Sequence, residues 1–186
     1  MNKATILFLA LGVVFSSLLA ADEFENKLSS AMEYYKNGKT VDASNELSDA
    51  IMFLQNKKEF KIKNLFLCDS ITGYEDYKKS TSNKMKAGKE LQIYIEVEGY
   101  AVEKISGKYG FWISKEMVLF DQTGKEVLRK ADIREYRKYN DFPVIPFYMQ
   151  NTIGNIPVGK YKLEITVKDH IKKSFTTATL EFEVEQ

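Results

Sequence analysis

The stretch "GKYKLEITVKD", residues 159–169, places Tyr161, Leu163, Ile165 and Val167 in strict alternation with Lys162, Glu164, Thr166 and Lys168. A period of two puts the first set on one face of an extended strand and the second on the other, so the strand belongs in a sheet covered on one side. Two further stretches repeat the pattern. "ELQIYIEVEGY" points Leu91, Ile93, Ile95 and Val97 inward, and "TATLEFEVEQ" does the same with Ala178, Leu180, Phe182 and Val184. The glutamates of "IEVE" and "EFEVE" then fall on outward positions, where charge is expected.

Between these strands lie "GFWISKEMVLFD" and "KEVLRKADI", joined by "DQTGK", whose Gly124 suits a hairpin needing a positive φ. A first strand through "FKIKNLFLC" and one around "PFYMQNTI" bring the total to about seven, with turn signals between them. The predicted fold class is mainly β with an N-terminal α-hairpin, the β part (60–186) being an antiparallel immunoglobulin-like β-sandwich of about seven strands. A barrel is the alternative.

Residues 22–58 differ in composition, being rich in Ala, Leu, Glu, Lys and Asn at helical spacing. Phe24, Leu28, Ala31 and Tyr35 line a first helix that "KNGK" ends, with Gly38 as a left-handed cap. Ala43, Leu47, Ala50, Ile51 and Leu54 form the inner face of a second. Phe24, Leu28, Met32, Ile51, Met52, Phe53 and Leu54 are too many apolar groups for one shared seam, so some are expected to meet another surface. The order Ala31, Tyr34, Gly38, Ala43, Leu47, Ala50 resembles one tetratricopeptide-type (TPR-like) repeat, without the opening aromatic and closing proline.

Residues 1–21 read as a secretory signal peptide. Lys3 precedes an apolar run from Ile6 to Leu19, and Ala20 and Ala21 offer a cleavage site ahead of Asp22. The run is short for a spanning helix. The expected mature chain is therefore periplasmic or secreted and not an integral membrane protein. The chain has 27 basic and 26 acidic residues, and loss of Lys3 with the leader brings them into balance. Without a basic excess to displace counterions, nucleic acid is excluded as a partner. The lysines between residues 57 and 89 read as solvated faces.

The landmarks "NLFLCDSITGYEDY", "MKAGKELQIYIEVEGY", "MVLFDQTGKEV" and "IPVGKYKLEITVKD" are similar to an uncharacterised immunoglobulin-like β-sandwich region of exported bacterial proteins. The resemblance covers about residues 60–186 and implies a fold and an envelope address, with no reaction. In such folds a tyrosine opening a late strand anchors a corner through its hydroxyl, the structural role expected of Tyr161.

Chemistry-bearing residues are sparse. Cys68 is the single cysteine and His170 the single histidine, so neither an internal disulfide nor a clustered metal-ligand set is available. Cys68 closes the apolar run Leu65, Phe66, Leu67, and His170 lies in the charged turn "KDHIKKS", so the thiol reads as structural core packing rather than as half of a nucleophilic pair. "DSITGYED" lacks the acid density of a calcium loop, and "DQTGK" joins strands instead of opening a helix as a phosphate loop does. No cofactor, no metal and no enzyme activity are expected.

The stretch that offers a recognition surface is "REYRKYNDFPVIPFYMQ", which packs five aromatics around two prolines, although the favoured reading sends Phe142, Ile145 and Phe147 into the core with the tyrosines at its rim. Arg134, Tyr136, Tyr139, Phe142, Phe147 and Tyr148 are the candidate binding residues, with Arg137 and Asn140 as further polar groups. The functional expectation is a non-catalytic module that contacts another envelope protein. The alternative is a carbohydrate-binding module reading a glycan through the aromatics of 134–150.

Overall fold

The computed structural model describes residues 23–131 and 135–186. The expected signal peptide, residues 1–21, and Arg134 lie outside the described residues. The chain divides into two compact units after Leu54, and each is taken by itself.

The first unit is a helical hairpin. Helix α1 covers residues 23–36 and α2 covers Thr40–Lys57, the latter running past the unit boundary. Gly38 adopts φ 75°, the N–H of Lys39 donates to Tyr34 O at 2.9 Å and that of Gly38 to Tyr35 O at 3.0 Å. That pair of bonds is a Schellman closure, which requires a residue tolerant of the left-handed region at this point. Ala31, Ala43 and Ala50 are buried in the seam, where small side chains let the helices approach, and Phe24 packs on Phe53 with ring centroids 6.3 Å apart.

The second unit is a β-sandwich, with eleven strands among the described residues. The extra strands over the seven expected are mostly short segments with no alternation to reveal them. One sheet has the order β2–β1–β4–β9, from Asp76–Lys79, Lys61–Gly73, Leu91–Glu98 and Tyr148–Ile153. The other runs β3–β11–β10–β6–β5, from Lys84–Lys86, Ser174–Glu185, Gly159–Asp169, Lys108–Asp121 and Glu103–Ile105. β7 (Glu126–Ala131) and β8 (Tyr136–Asn140) both pair with β6. Among the described residues the strand pairs are antiparallel except β3 with β11, which is parallel. β1–β4–β9 facing β11–β10–β6–β7 is an immunoglobulin-like arrangement. The inner residues Ile93 and Ile95 of β4, Ile113 of β6, and Leu163, Ile165 and Val167 of β10 have no exposed surface.

Three devices fix the ends of the sandwich. Tyr161 Oη donates to Pro157 O at 2.9 Å, tying the start of β10 to the loop before it. Asp169 is buried, its Oδ2 accepting from Ala101 N at 2.6 Å and its Oδ1 from Ile171 N and Lys172 N at 3.0 and 2.9 Å. Gly99 has φ 70°, and a Cβ there would sit 1.9 Å from Glu59 O, so the chain crosses itself at a distance only glycine allows.

The small sheet departs from the one-faced pattern expected of it. β4 buries Tyr94 and Glu96 as well as its inner residues, so its second face is covered too. The β1–β2 hairpin folds back over that face: Glu75 N donates to Tyr94 Oη at 3.2 Å and Tyr74 Oη to Glu96 Oε1 at 3.4 Å. Beneath it Phe66, Tyr94 and Tyr148 form a ladder of near-parallel rings, with centroids 5.3 and 5.5 Å apart. Tyr77 closes over them, 4.5 Å from Tyr94. Cys68 and Ile71 complete this second small core. The outward charge expected at Glu96 is thus a buried carboxylate. It accepts from Lys63 Nζ and Asn64 Nδ2, each at 2.7 Å.

Candidate functional site

An α-helix advances 100° per residue, which sorts the hairpin into sides. Relative to the seam of Ala31, Ala43 and Ala50, Met32 on α1 and Leu47 and Ile51 on α2 are displaced in the direction of increasing residue angle. Because the helices run antiparallel, both displacements point to the same side of the hairpin. Met32 is 60% exposed, Leu47 47% and Ile51 44%. Leu54 and Tyr35 extend the strip at its two ends and are also exposed. The inner-face assignment of Leu47, Ile51 and Leu54 is therefore only half right: the alanines fill the seam, and the larger side chains beside them face outward. An apolar strip on a unit this small marks an interaction surface more often than a free one.

The aromatics of 134–150 are distributed over several surfaces, because the chain changes sheets between β8 and β9. Phe147 is buried 4.6 Å from Phe111, with Tyr136 5.5 Å away. Tyr136 Oη accepts from the buried Lys115 Nζ at 2.8 Å. Tyr148 stands on the outer face of the small sheet beside Tyr94. Phe142 and Val144 point outward while Pro143 and Ile145 are buried, the alternation of an extended segment. Tyr139 is half exposed on β8, its ring lying where a Cβ on Gly110 would be, 2.5 Å from Cδ1.

Beside Tyr139 is a cluster that the sequence did not signal. The Arg137 guanidinium lies 3.9 Å from the Trp112 ring centroid, and the His170 ring stacks on the same indole at 4.6 Å. His170 Nε2 is 2.8 Å from Ser114 Oγ. A serine–histidine contact needs a third group to orient the imidazole for base catalysis. Asp169, the adjacent carboxylate, is already engaged with three backbone N–H groups.

Cys68 lies on β1 of the small sheet and His170 in the turn that joins β10 and β11 of the large one. Burial pushes the Cys68 thiol up from its ordinary value, and neighbouring Asp69 adds to this, which disfavours thiolate. Among the described residues no cluster of three His, Cys, Asp or Glu side chains is placed to hold a metal. An open groove of about 760 Å³ crosses the large sheet from Lys84 to the β6–β7 turn, with Phe120, Lys160, Lys162 and Glu181 along it. Lys84 in it pairs with Glu183 at 3.5 Å and with Glu185, and Lys162 lies 5.5 Å over the Phe120 ring.

No protein-family model matches the chain, and no curated protein matches it in sequence. Solved structures with a similar arrangement include a superoxide reductase (neelaredoxin) from Ignicoccus hospitalis, at 13% identity and a TM-score of 0.38 over 67% of this chain and 82% of that one. The PKD domain of an M14-like peptidase from Thermoplasmatales archaeon SCGC AB-540-F20 matches at 12% identity and TM-score 0.38, over 69% and 98%. CopC from Methylosinus trichosporium OB3b matches at 18% and 0.36, over 66% and 94%. At such identities and TM-scores the likeness bears on neither activity nor ligand. Among the described residues no helix is long and apolar enough to cross a membrane.

Proposed function

We propose that this chain is an exported, non-catalytic module of a bacterial cell envelope that docks another protein surface through the exposed side of its helical hairpin. The observation that carries this reading is the strip of Met32, Leu47 and Ile51, each about half exposed on one side of a two-helix unit. At ~25 cal/mol per Å², covering a few hundred Å² of such surface stabilises a complex by several kcal/mol before ordering costs. The leader-like residues 1–21 support the envelope address. The test is co-isolation from crosslinked envelope fractions with the wild-type chain and with Ile51→Glu. A discrete set of adducts that the variant loses supports the reading, and identical adducts from both refute it.

A glycan reading keeps one supporting observation, the half-exposed Tyr139 ring seated on Gly110 beside Arg137. Glycan-array binding that disappears in Tyr139→Ala would favour it over hairpin docking.

A further inference from the structure

We infer that the occupant of the exposed hairpin side is a second copy of this chain, with α1 antiparallel on its counterpart and α2 likewise. This rests on the docking reading above and names its partner.

On α1 the residues in line with Met32 are Glu25 and Lys36, both exposed, while Ser44 accompanies Leu47 and Ile51 on α2. Among the described residues of the hairpin, these two are the charged groups on that side. One stands near the start of α1 and the other at its end, about 16 Å apart at the helical rise. A partner matching this side must carry the opposite order of charges at the same spacing. A second α1 rotated about a two-fold axis lying in the interface, perpendicular to the helices, does so: each Glu25 meets the other copy's Lys36. That is the self-complementarity an isologous contact demands.

The Phe24–Phe53 contact fixes which residues of the two helices lie side by side, and it sets Leu47 beside the midpoint between Glu25 and Lys36. The two-fold axis defined by the charges therefore passes at Leu47, which packs on its own symmetry mate with Ile51 and Met32 around it. A charge pattern and an apolar centre that share one axis form a single interface.

Partial exposure of Met32, Tyr35, Leu47, Ile51 and Leu54 leaves on the order of 500 Å² of apolar surface per copy, or roughly 1,000 Å² for a pair. That is the low end for a specific interface and points to a reversible dimer rather than an obligate one.

The test is sedimentation equilibrium of the chain from Asp22 to Gln186 across the micromolar range, with far-ultraviolet circular dichroism to confirm that each variant keeps its helices. The expected result is a reversible monomer–dimer equilibrium. Leu47→Glu abolishes it by placing two like charges on the axis. Glu25→Lys and Lys36→Glu each weaken dimerisation about tenfold, and the double reversal recovers affinity close to wild type. The reversals alter exposed residues, so they remain informative if Leu47→Glu unfolds the hairpin. A chain that stays monomeric throughout overturns the inference. If it is monomeric and Ile51→Glu still loses crosslinked adducts, the docking reading stands and only the second copy is wrong. A dimer indifferent to Leu47→Glu and to both reversals places the interface elsewhere and also overturns the inference.

Discussion

Replacing Glu96 by glutamine probes the covered outer face of the small sheet. The Glu96 side chain is 4% exposed and accepts from Lys63 Nζ, Asn64 Nδ2 and Tyr74 Oη. Glutamine retains one oxygen acceptor and turns an N–H₂ toward another donor, so one group loses its partner and Lys63 loses its counter-charge. Lys63 is 43% exposed and regains water at little cost. Asn64 is half-buried, and leaving its amide unpaired costs about 1–3 kcal/mol. A loss near ~2 kcal/mol lowers the melting temperature by roughly 5–10 °C for a domain of this size. Burial opposes the Glu96 charge, but hydrogen bonds from Lys63 and Asn64 outweigh it and hold the carboxyl below its ordinary value of 4.5. A depressed carboxyl stabilises the fold above its unfolded pKa, and that contribution is lost as pH falls through the folded value. The gap between wild type and Glu96→Gln, read by thermal circular dichroism, should thus be full at pH 7 and narrow below about pH 4.5. Glu98→Gln is the control, because its pair with Lys61 at 3.1 Å is exposed and should matter by less than ~0.5 kcal/mol. Equal stability of Glu96→Gln and wild type at pH 7, or a gap that widens in acid, refutes the reasoning.

Two further outcomes follow from single positions. Cys68→Ser should destabilise by ~1–3 kcal/mol in urea titration, since the site is buried beside Phe66 and Tyr94 and gives a hydroxyl no assured partner. Gly99→Ala should destabilise by more than ~3 kcal/mol or prevent soluble expression, because its Cβ meets Glu59 backbone in a left-handed conformation, whereas Gly124→Ala, with open space around it, should cost only about 1 kcal/mol.

Alternation read from the sequence captures β10 and β11 and the inner face of β4, because a period of two separates buried from solvated residues wherever one face is wet. It fails on the other face of β4, since folding back of β1–β2 is a tertiary event that the strand's own pattern does not encode. The aromatics in outward slots, Phe66 and Tyr94, were the available signal. The hairpin was legible through Gly38 and the alanine spacing, and so was its surplus of apolar groups. Which of them face outward was not, because Leu47 and Ala43 occupy the same stripe by spacing and only side-chain size separates them. The core reading of residues 134–150 holds for Ile145 and Phe147 and fails for Phe142, because the segment straddles the crossing from one sheet to the other and neighbours in sequence part in space. The Trp112–His170–Arg137 cluster joins β6, β8 and the β10–β11 turn, and no local pattern links residues so far apart.

The central claim is that the hairpin side bearing Leu47 is covered by protein in the cell. A photoreactive amino acid placed at Leu47, with Tyr139 as the comparison position, tests it most directly when intact cells are irradiated and the adducts resolved. Strong, discrete adducts are expected from Leu47, including a species of twice the chain's mass, and weak or diffuse ones from Tyr139. Discrete adducts from Tyr139 with none from Leu47 would contradict it.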